Sequence, residues 1–372
     1  MHYHGYHLNF LANRELNELY ASMAIRKFSL SIISIFIPIF LIKTGYSIPQ
    51  VFLYYAIVNI AHAIFTIPAV KLAGLYGFKH IILFSIPFRL AFYALLYTIE
   101  SHQLPLPLLG IIFGIEHALF WLGYHVDFAT FSDRKKRGKE QATSRIIIST
   151  VSIIGPIFGG LILTYYNFNV LFIVTTTTLA LSSIPLFLSR DIHKPINFSI
   201  KKLFKNQKIK DFLAFMGHGI EGATIDVIWP IFVFFGILNS YTELGAMHTF
   251  SFVFSILFVI IIGKLTDRDE RKILRAGAIM NSLVWFIKYT TKSAFQVFAF
   301  ESLQGMSTKL VGIPFNALDY DKADGNVLET IAFREFAINI SAAVFLIIMI
   351  FITNLKVSFV LSGLGTLLNL LF

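Results

Sequence analysis

Long apolar runs and short polar breaks alternate along the whole chain. The runs fall at about 22–43, 49–72, 79–99, 105–127, 144–165, 168–189, 211–238, 242–264, 272–291, 293–316, 328–352 and 355–372. Each is close to the roughly 20 residues an α-helix needs to cross a hydrocarbon core. The pattern predicts an all-α integral membrane protein with twelve transmembrane helices. One break is long. It carries Arg190, Lys194, Lys201, Lys202, Lys205, Lys208 and Lys210, and it divides the spans six and six. The predicted organisation is a six-helix bundle at 1–189, a basic linker at 190–210 and a second six-helix bundle at 211–372.

Composition agrees. The chain of 372 residues is 56% hydrophobic and 14% charged, with mean hydropathy +0.71; a soluble domain is about one-quarter charged. The net charge of +10 would suggest a nucleic-acid partner if it were spread evenly, but it is not. The N-terminal region and the breaks after spans 2, 4, 6, 8 and 10, with their adjoining helix ends, hold 25 of the 31 Lys and Arg. The opposite breaks hold Lys43, Lys288, Lys292 and Lys356, while Arg89 and Lys309 fall inside spans. Loops rich in Lys and Arg stay on the cytoplasmic side. Both termini and the linker are therefore expected in the cytoplasm, with the chain in the plasma or inner membrane. The linker could also hold anionic lipid; no nucleic acid is expected. The sequence has no cysteine, hence no disulfide and no thiolate metal site. His2, His4 and His7 have no carboxylate placed to complete a site, so neither metal nor cofactor is expected. Residues 1–20 are polar and do not form a secretory signal.

The chain also repeats itself. Pro38-Ile39-Phe40 in span 1 is echoed by Pro230-Ile231-Phe232 in span 7, and Gly74 follows the first proline at nearly the interval by which Asp267 follows the second. Gly123 precedes Arg145 by the same interval that separates Gly312 from Arg334. The sharpest motif is the charged hairpin Gly263-Lys264-Leu265-Thr266-Asp267-Arg268-Asp269-Glu270-Arg271-Lys272. It resembles the loop signature of the major facilitator superfamily of secondary transporters, with Glu270 where the family usually has Gly. The matching first-half loop, Lys71 to Lys79, keeps the Leu, the Gly and a Lys but has lost the Asp and both Arg. Asp133 to Glu140 is similar to the superfamily's Arg-Gly loop between helices 4 and 5. Gly155-Pro156-Ile157-Phe158-Gly159-Gly160 resembles the end of its helix-5 signature, associated with proton-coupled antiporters; Val151 and Ala142 replace the earlier glycines. A proline bend with a close-packing glycine seam explains the same residues.

The resemblance implies two parallel repeats with the substrate between them and a cavity lined by helices 1, 4, 7 and 10. Ionisable residues inside spans fall on those helices. Span 4 has Glu116 and His117, with His125 and Asp127 nearer its end; span 7 has His218, Glu221 and Asp226; span 10 has Glu301, Gln304 and Lys309. Glu116 and Asp127 share a helix face, as do His218 and Glu221. Burying a charge in hydrocarbon is costly, and a low-dielectric cavity favours the neutral carboxyl. Glu116, His117, His218, Glu221, Asp226, Gln304 and Lys309 are the candidate substrate- and proton-binding residues. Lys309 is expected to pair with Glu116 or Glu221, and Arg89 to snorkel or to neutralise a neighbour. Gating residues implied by the resemblance are Asp267, Arg268, Arg271 and Lys272 with Asp319, Asp321, Gly155, Pro156, Gly159 and Gly160. Asp267 would meet the start of span 5 near Ala142–Arg145, and Arg268 or Arg271 would pair with Asp319 or Asp321.

The expected function is secondary transport of a small molecule by a monomer in the lipid bilayer, coupled to protons, with antiport and efflux favoured by the span-5 motif. A membrane-embedded enzyme on a lipid-linked substrate and a transporter-like sensor are the alternatives. Against an enzyme, the sequence has no HExxH pair and no Gly-rich phosphate loop.

Overall fold

The computed structural model describes residues 14–99, 104–131, 137–187, 203, 208–322 and 327–372, and every regular element among them is helical. Residues 1–13, 132–136 and most of 188–207 lie outside the described residues. So do the expectations for His2, His4 and His7 and for much of the Asp133–Glu140 loop and the linker.

The twelve spans follow in order. In the first half α1 is Arg14–Ile33 continued by Ile37–Lys43, α2 Ile48–Tyr76, α3 Phe78–Thr98, α4 Leu106–Phe131, α5 Arg137–Ser152 continued by Ile154–Tyr165, and α6 Phe168–Leu181. In the second, α7 is Ile209–Ala223 continued by Trp229–Val233, α8 Tyr241–Thr266, α9 Glu270–Lys288, α10 Ala294–Lys322, α11 Val327–Ile350 and α12 Lys356–Leu367. Among the described residues eight helices are long and apolar enough to cross a membrane, and the helices at Phe168–Leu181 and Lys356–Leu371 are shorter apolar ones. The other two, α9 and α10, carry more polar side chains, which they bury against each other. Apolar residues that stay exposed, such as Ile64, Ile173, Leu257 and Phe295, suit a hydrocarbon solvent.

Three spans are interrupted just before a proline, whereas Pro68, Pro87 and Pro314 sit within unbroken helices. A proline within a helix cannot bond the carbonyl four residues back. Pro38 thus frees Ser34, and α1 tightens into a 3-10 turn at Ser34–Phe36. Pro230 frees Asp226, and α7 widens into a π turn at Thr224–Ile228. Pro156 frees Ser152, and α5 breaks between Ser152 and Ile154. The repeated Pro-Ile-Phe thus interrupts equivalent spans of both halves, once by tightening and once by loosening. The two irregular turns of α1 and α7 pack against each other.

Packing reveals the symmetry. α2 lies along α11, and α5 along α8. Adding six to each member of the first pair and counting round the twelve gives the second, as a two-fold relation between two six-helix bundles requires. Glycine permits the α5 contacts: a Cβ at Gly159 would strike the Ile32 carbonyl of α1, and one at Gly160 the Tyr241 carbonyl of α8. Such close approach is what small residues provide between membrane helices. Gly155, Pro156, Gly159 and Gly160 are all buried in this seam.

Tyr20 of α1 and the chain end Phe372 share one apolar cluster with Phe78 and Tyr320. The beginning of α1 and Phe372 therefore lie on one face of the molecule, here the terminal face; the other is the distal face.

Candidate functional site

The ionisable groups fall into three assemblies. The first lies wholly in the first half. Glu116 of α4 is fully buried and is gripped by Arg26 of α1 and by Arg89 of α3, the latter at 2.6 Å. The Arg26 guanidinium lies 3.6 Å over the Phe120 ring and that of Arg89 4.2 Å over Phe113, so the aromatic faces take the place of water around the cations. His117 donates Nδ1–H to the Phe113 carbonyl at 3.0 Å, because a carbonyl can only accept. The charge that neutralises Glu116 thus comes from Arg26 and Arg89 and not, as the sequence suggested, from Lys309: two cations of the same half are nearer. Arg89 does neutralise a neighbour rather than snorkel.

The second assembly lies wholly in the second half. Oε1 of Glu221 on α7 accepts from Asn281 (2.5 Å), Trp285 (3.1 Å) and Gln304 (3.3 Å). Asn281 in turn accepts from Gln304 and Ser307, each at 2.8 Å. Beside it Lys288 of α9 pairs with Glu301 of α10 at 2.9 Å and lies 4.0 Å over Trp229. Lys288 was assigned to a break between spans; it is instead fully buried, because α9 continues far enough to bring it over the indole. The two assemblies use equivalent helices, the first, third and fourth of each half.

The third assembly joins the halves. Asp319 of α10 is buried against Arg334 of α11 at 3.3 Å, so of Asp319 and Asp321, the two expected partners of Arg268 or Arg271, Asp319 is held by Arg334 instead. Arg268, Arg271 and Lys272 are exposed on the α8–α9 turn, and Asp269 caps α9 by accepting from the Lys272 amide at 3.0 Å. Arg334 also donates to Asn316 (3.1 Å) and to Nδ1 of His125 on α4 (3.3 Å), a nitrogen that lies 2.6 Å from the Tyr320 hydroxyl. Glu335 of α11 lies 3.2 Å from Nε2 of His62 on α2 and 3.7 Å from Nε2 of His125. Sequence reading passed over His62 and Glu335. Both are ionisable residues within apolar runs, a signal legible in the sequence, but they sit on α2 and α11, outside helices 1, 4, 7 and 10.

Between these assemblies further polar side chains of the two halves come near one another. Asp226, at the π turn of α7, keeps an exposed side chain, and the charged group acting on it is Lys27 of α1, with Tyr55 of α2 nearby. Lys27 lies 4.5 Å over Trp121, which stacks on His125 at 5.4 Å. On the distal side α1 and α7 meet: Ile37–Lys43 packs on Trp229–Val233, and Tyr241 meets Phe36, Phe168 and Phe234. On the terminal side Phe128 meets Tyr320 at 5.4 Å. His218 packs on Phe315 at 3.8 Å between ring centres, and Lys309 is half-buried on α10. Near the end of α8, Val259 and Ile262 pack with Ala142 of α5; α5 begins at Arg137, so Ala142–Arg145, expected as its start, lies inside the helix, where the backbone amides are already bonded.

A helical membrane protein with two pseudo-symmetric six-helix halves and buried ionisable groups where they meet has the architecture of a transporter. The sequence profile described as Major Facilitator Superfamily matches residues 19–215 and again 212–372, and the chain belongs to that superfamily. In fold it is similar to the Escherichia coli fucose:proton symporter FucP (TM-score 0.70, 14% identity, 95% of this chain and 96% of that one). It is equally similar to the human organic anion transporter MFSD10 (TM-score 0.70, 10% identity, 97% of this chain and 99% of that one). In sequence it is 24% identical over 316 residues to the Bacillus subtilis protein YqgE, described as uncharacterized, covering 77% of this chain and 72% of that one.

Proposed function

We propose that the protein is a secondary active transporter that moves a small polar solute by alternating access, coupled to protons. The observation that carries this reading is that Lys27 and Asp226, contributed by opposite halves, lie within electrostatic reach of each other, with contacts between the halves toward both the distal and the terminal side. A solute bound there would touch both halves, so its binding energy could bias their rocking. Asp226, Lys27, His117, Trp121 and Lys309 are the proposed contacts, and His218 backs the same helix. Glu116, Glu221 and Gln304 hold the walls: their partners come from their own half, so rigid rocking leaves them unchanged.

Residues 1–189 and 211–372 act as the moving halves and 190–210 as their tether. The basic terminal face is assigned to the cytoplasm of a cell membrane, the working unit to a monomer, and the Asp267 turn to a latch. The fucose:proton symporter shares the fold, which supports proton coupling as a mode this architecture can host. The Gly155–Gly160 seam on α5 favours antiport and efflux. Uptake into proteoliposomes under an imposed pH gradient tests the reading, using solutes first selected because they raise the protein's melting temperature. Accumulation that follows the gradient is expected, its sign separating antiport from symport. A solute that binds yet never moves under either gradient would make the chain a sensor.

A further inference from the structure

A proton that drives rocking has to sit where rocking changes its surroundings. The two buried carboxylates at the centres of the halves do not: Glu116 and Glu221 keep every partner in any rigid-body motion. Glu335 differs. Its carboxylate belongs to α11, but two of the basic groups beside it, His62 of α2 and His125 of α4, belong to the other half.

The partners divide the labour. Arg334 can only donate, so the His125 nitrogen that faces it, Nδ1, acts as acceptor. His125 is therefore neutral, carrying its hydrogen on Nε2 toward Glu335. Arg334 donates to Asp319 and Asn316, and its Nε lies 4.0 Å from Glu335 Oε1. The other carboxylate oxygen faces His62, with Nε2 at 3.2 Å from Glu335 Oε2 and both side chains nearly excluded from solvent. The surrounding charges are Arg334 on α11 and Asp319 on α10, with Lys322 of α10 and Asp211 of α7 paired at 2.7 Å beyond them. His117 lies behind His62 at 5.9 Å between ring centres, and His218 of α7 packs on Phe315, a ring also 6.0 Å from the Arg334 guanidinium.

We propose that the His62–Glu335 pair is a proton-binding site assembled only while the terminal face is shut. One proton is held between the imidazole Nε2 and the carboxylate when α2 and α11 are together. When they part it passes to water, leaving a neutral imidazole and a hydrated carboxylate. A proton that binds the shut form better than the open form must, by linkage, favour the shut form. Falling pH therefore closes the terminal face and rising pH opens it. This deepens the transport reading, on which it rests, by naming where the coupling ion sits.

The test needs no transported solute. The chain has no cysteine of its own, so Leu75→Cys at the end of α2 and Ile209→Cys at the start of α7, both exposed, can carry a spin-label pair across the terminal face. Full-length protein in lipid nanodiscs is measured from about pH 5.5 to about pH 8.5, spanning the histidine range. The long-distance population should grow with pH, by up to about tenfold per unit in the open-to-shut ratio for one linked proton. Glu335→Gln and His62→Gln should each flatten that dependence while both distances remain observable. A wild-type distribution that ignores pH overturns the proposal, and so does an unchanged pH response in Glu335→Gln. Should that variant fail to fold, His62→Gln, which leaves the carboxylate beside His125, decides alone. Proton-driven uptake without the pH-dependent distance removes this site and keeps the transporter. A pH-dependent distance without uptake does the reverse.

Discussion

Glu116 and Asp226 are both acidic residues on spans, yet the structure gives them opposite burdens. Glu116 is sealed between Arg26 and Arg89, and removing one member of a buried ionic cluster leaves the others uncompensated, at a cost of about 3–5 kcal/mol. Glu116→Gln should therefore lower the melting temperature sharply. Asp226→Asn, at an exposed position, should leave melting nearly unchanged and abolish solute uptake. Equal melting losses in the two variants would contradict this division. The sequence made Glu116 conspicuous but not its partners. Arg26 follows Tyr20, where the apolar stretch of α1 begins, by only a few residues, so it reads as a boundary charge. Its long side chain then reaches inward to α4. Lys288 misled for the same reason, standing at the end of an apolar run. A linear pattern gives the depth of a Cα but neither the reach of the side chain nor the rotation of its helix. Those two quantities decide which charges meet.

At the scale of elements, the number, order and approximate limits of the helices were legible, because hydrocarbon length fixes the period. The interruptions were legible only as prolines. Nothing in Pro38 or Pro230 says that one helix will tighten and the other widen; that depends on what packs beside each. The wide turn of α7 places Asp226 beside a backbone carbonyl deprived of its usual donor, a feature common where helices carry function. Pro230→Ala restores the missing N–H. It should slow hydrogen exchange across residues 224–230, raise the melting temperature and reduce the rate of uptake. Exchange as fast as in the wild type would mean that neighbouring helices, not the proline, impose the π turn.

For the molecule as a whole, the repeat seen in the sequence became the paired contacts α2–α11 and α5–α8. The contact between halves was expected only in kind. His62, His125, Arg334 and Glu335 come from three helices distant in sequence, and only the packed structure brings them together. The loop motif belongs to this scale as well. If Asp267 latches the terminal face by meeting the start of α5, whose unpaired amides favour an anion, then Asp267→Asn should move the Leu75–Ile209 distance distribution toward longer values at constant pH. An unchanged distribution would leave the loop only a topological role. Because Gly74 occupies the corresponding place in the first half, that half offers no second latch of this kind.

The grip of Arg26 and Arg89 on Glu116 also constrains how the protein can be made. During synthesis α1 and α3 emerge first, each bringing a guanidinium that lipid alone does not neutralise. Their counter-charge arrives only with α4. The early spans must then wait beside the insertion machinery, or stay shallow, until residue 116 has been added. A nascent chain stopped before α4 should be extracted or degraded, and one stopped after Phe131 retained, so that four helices, not one, form the smallest unit the membrane accepts.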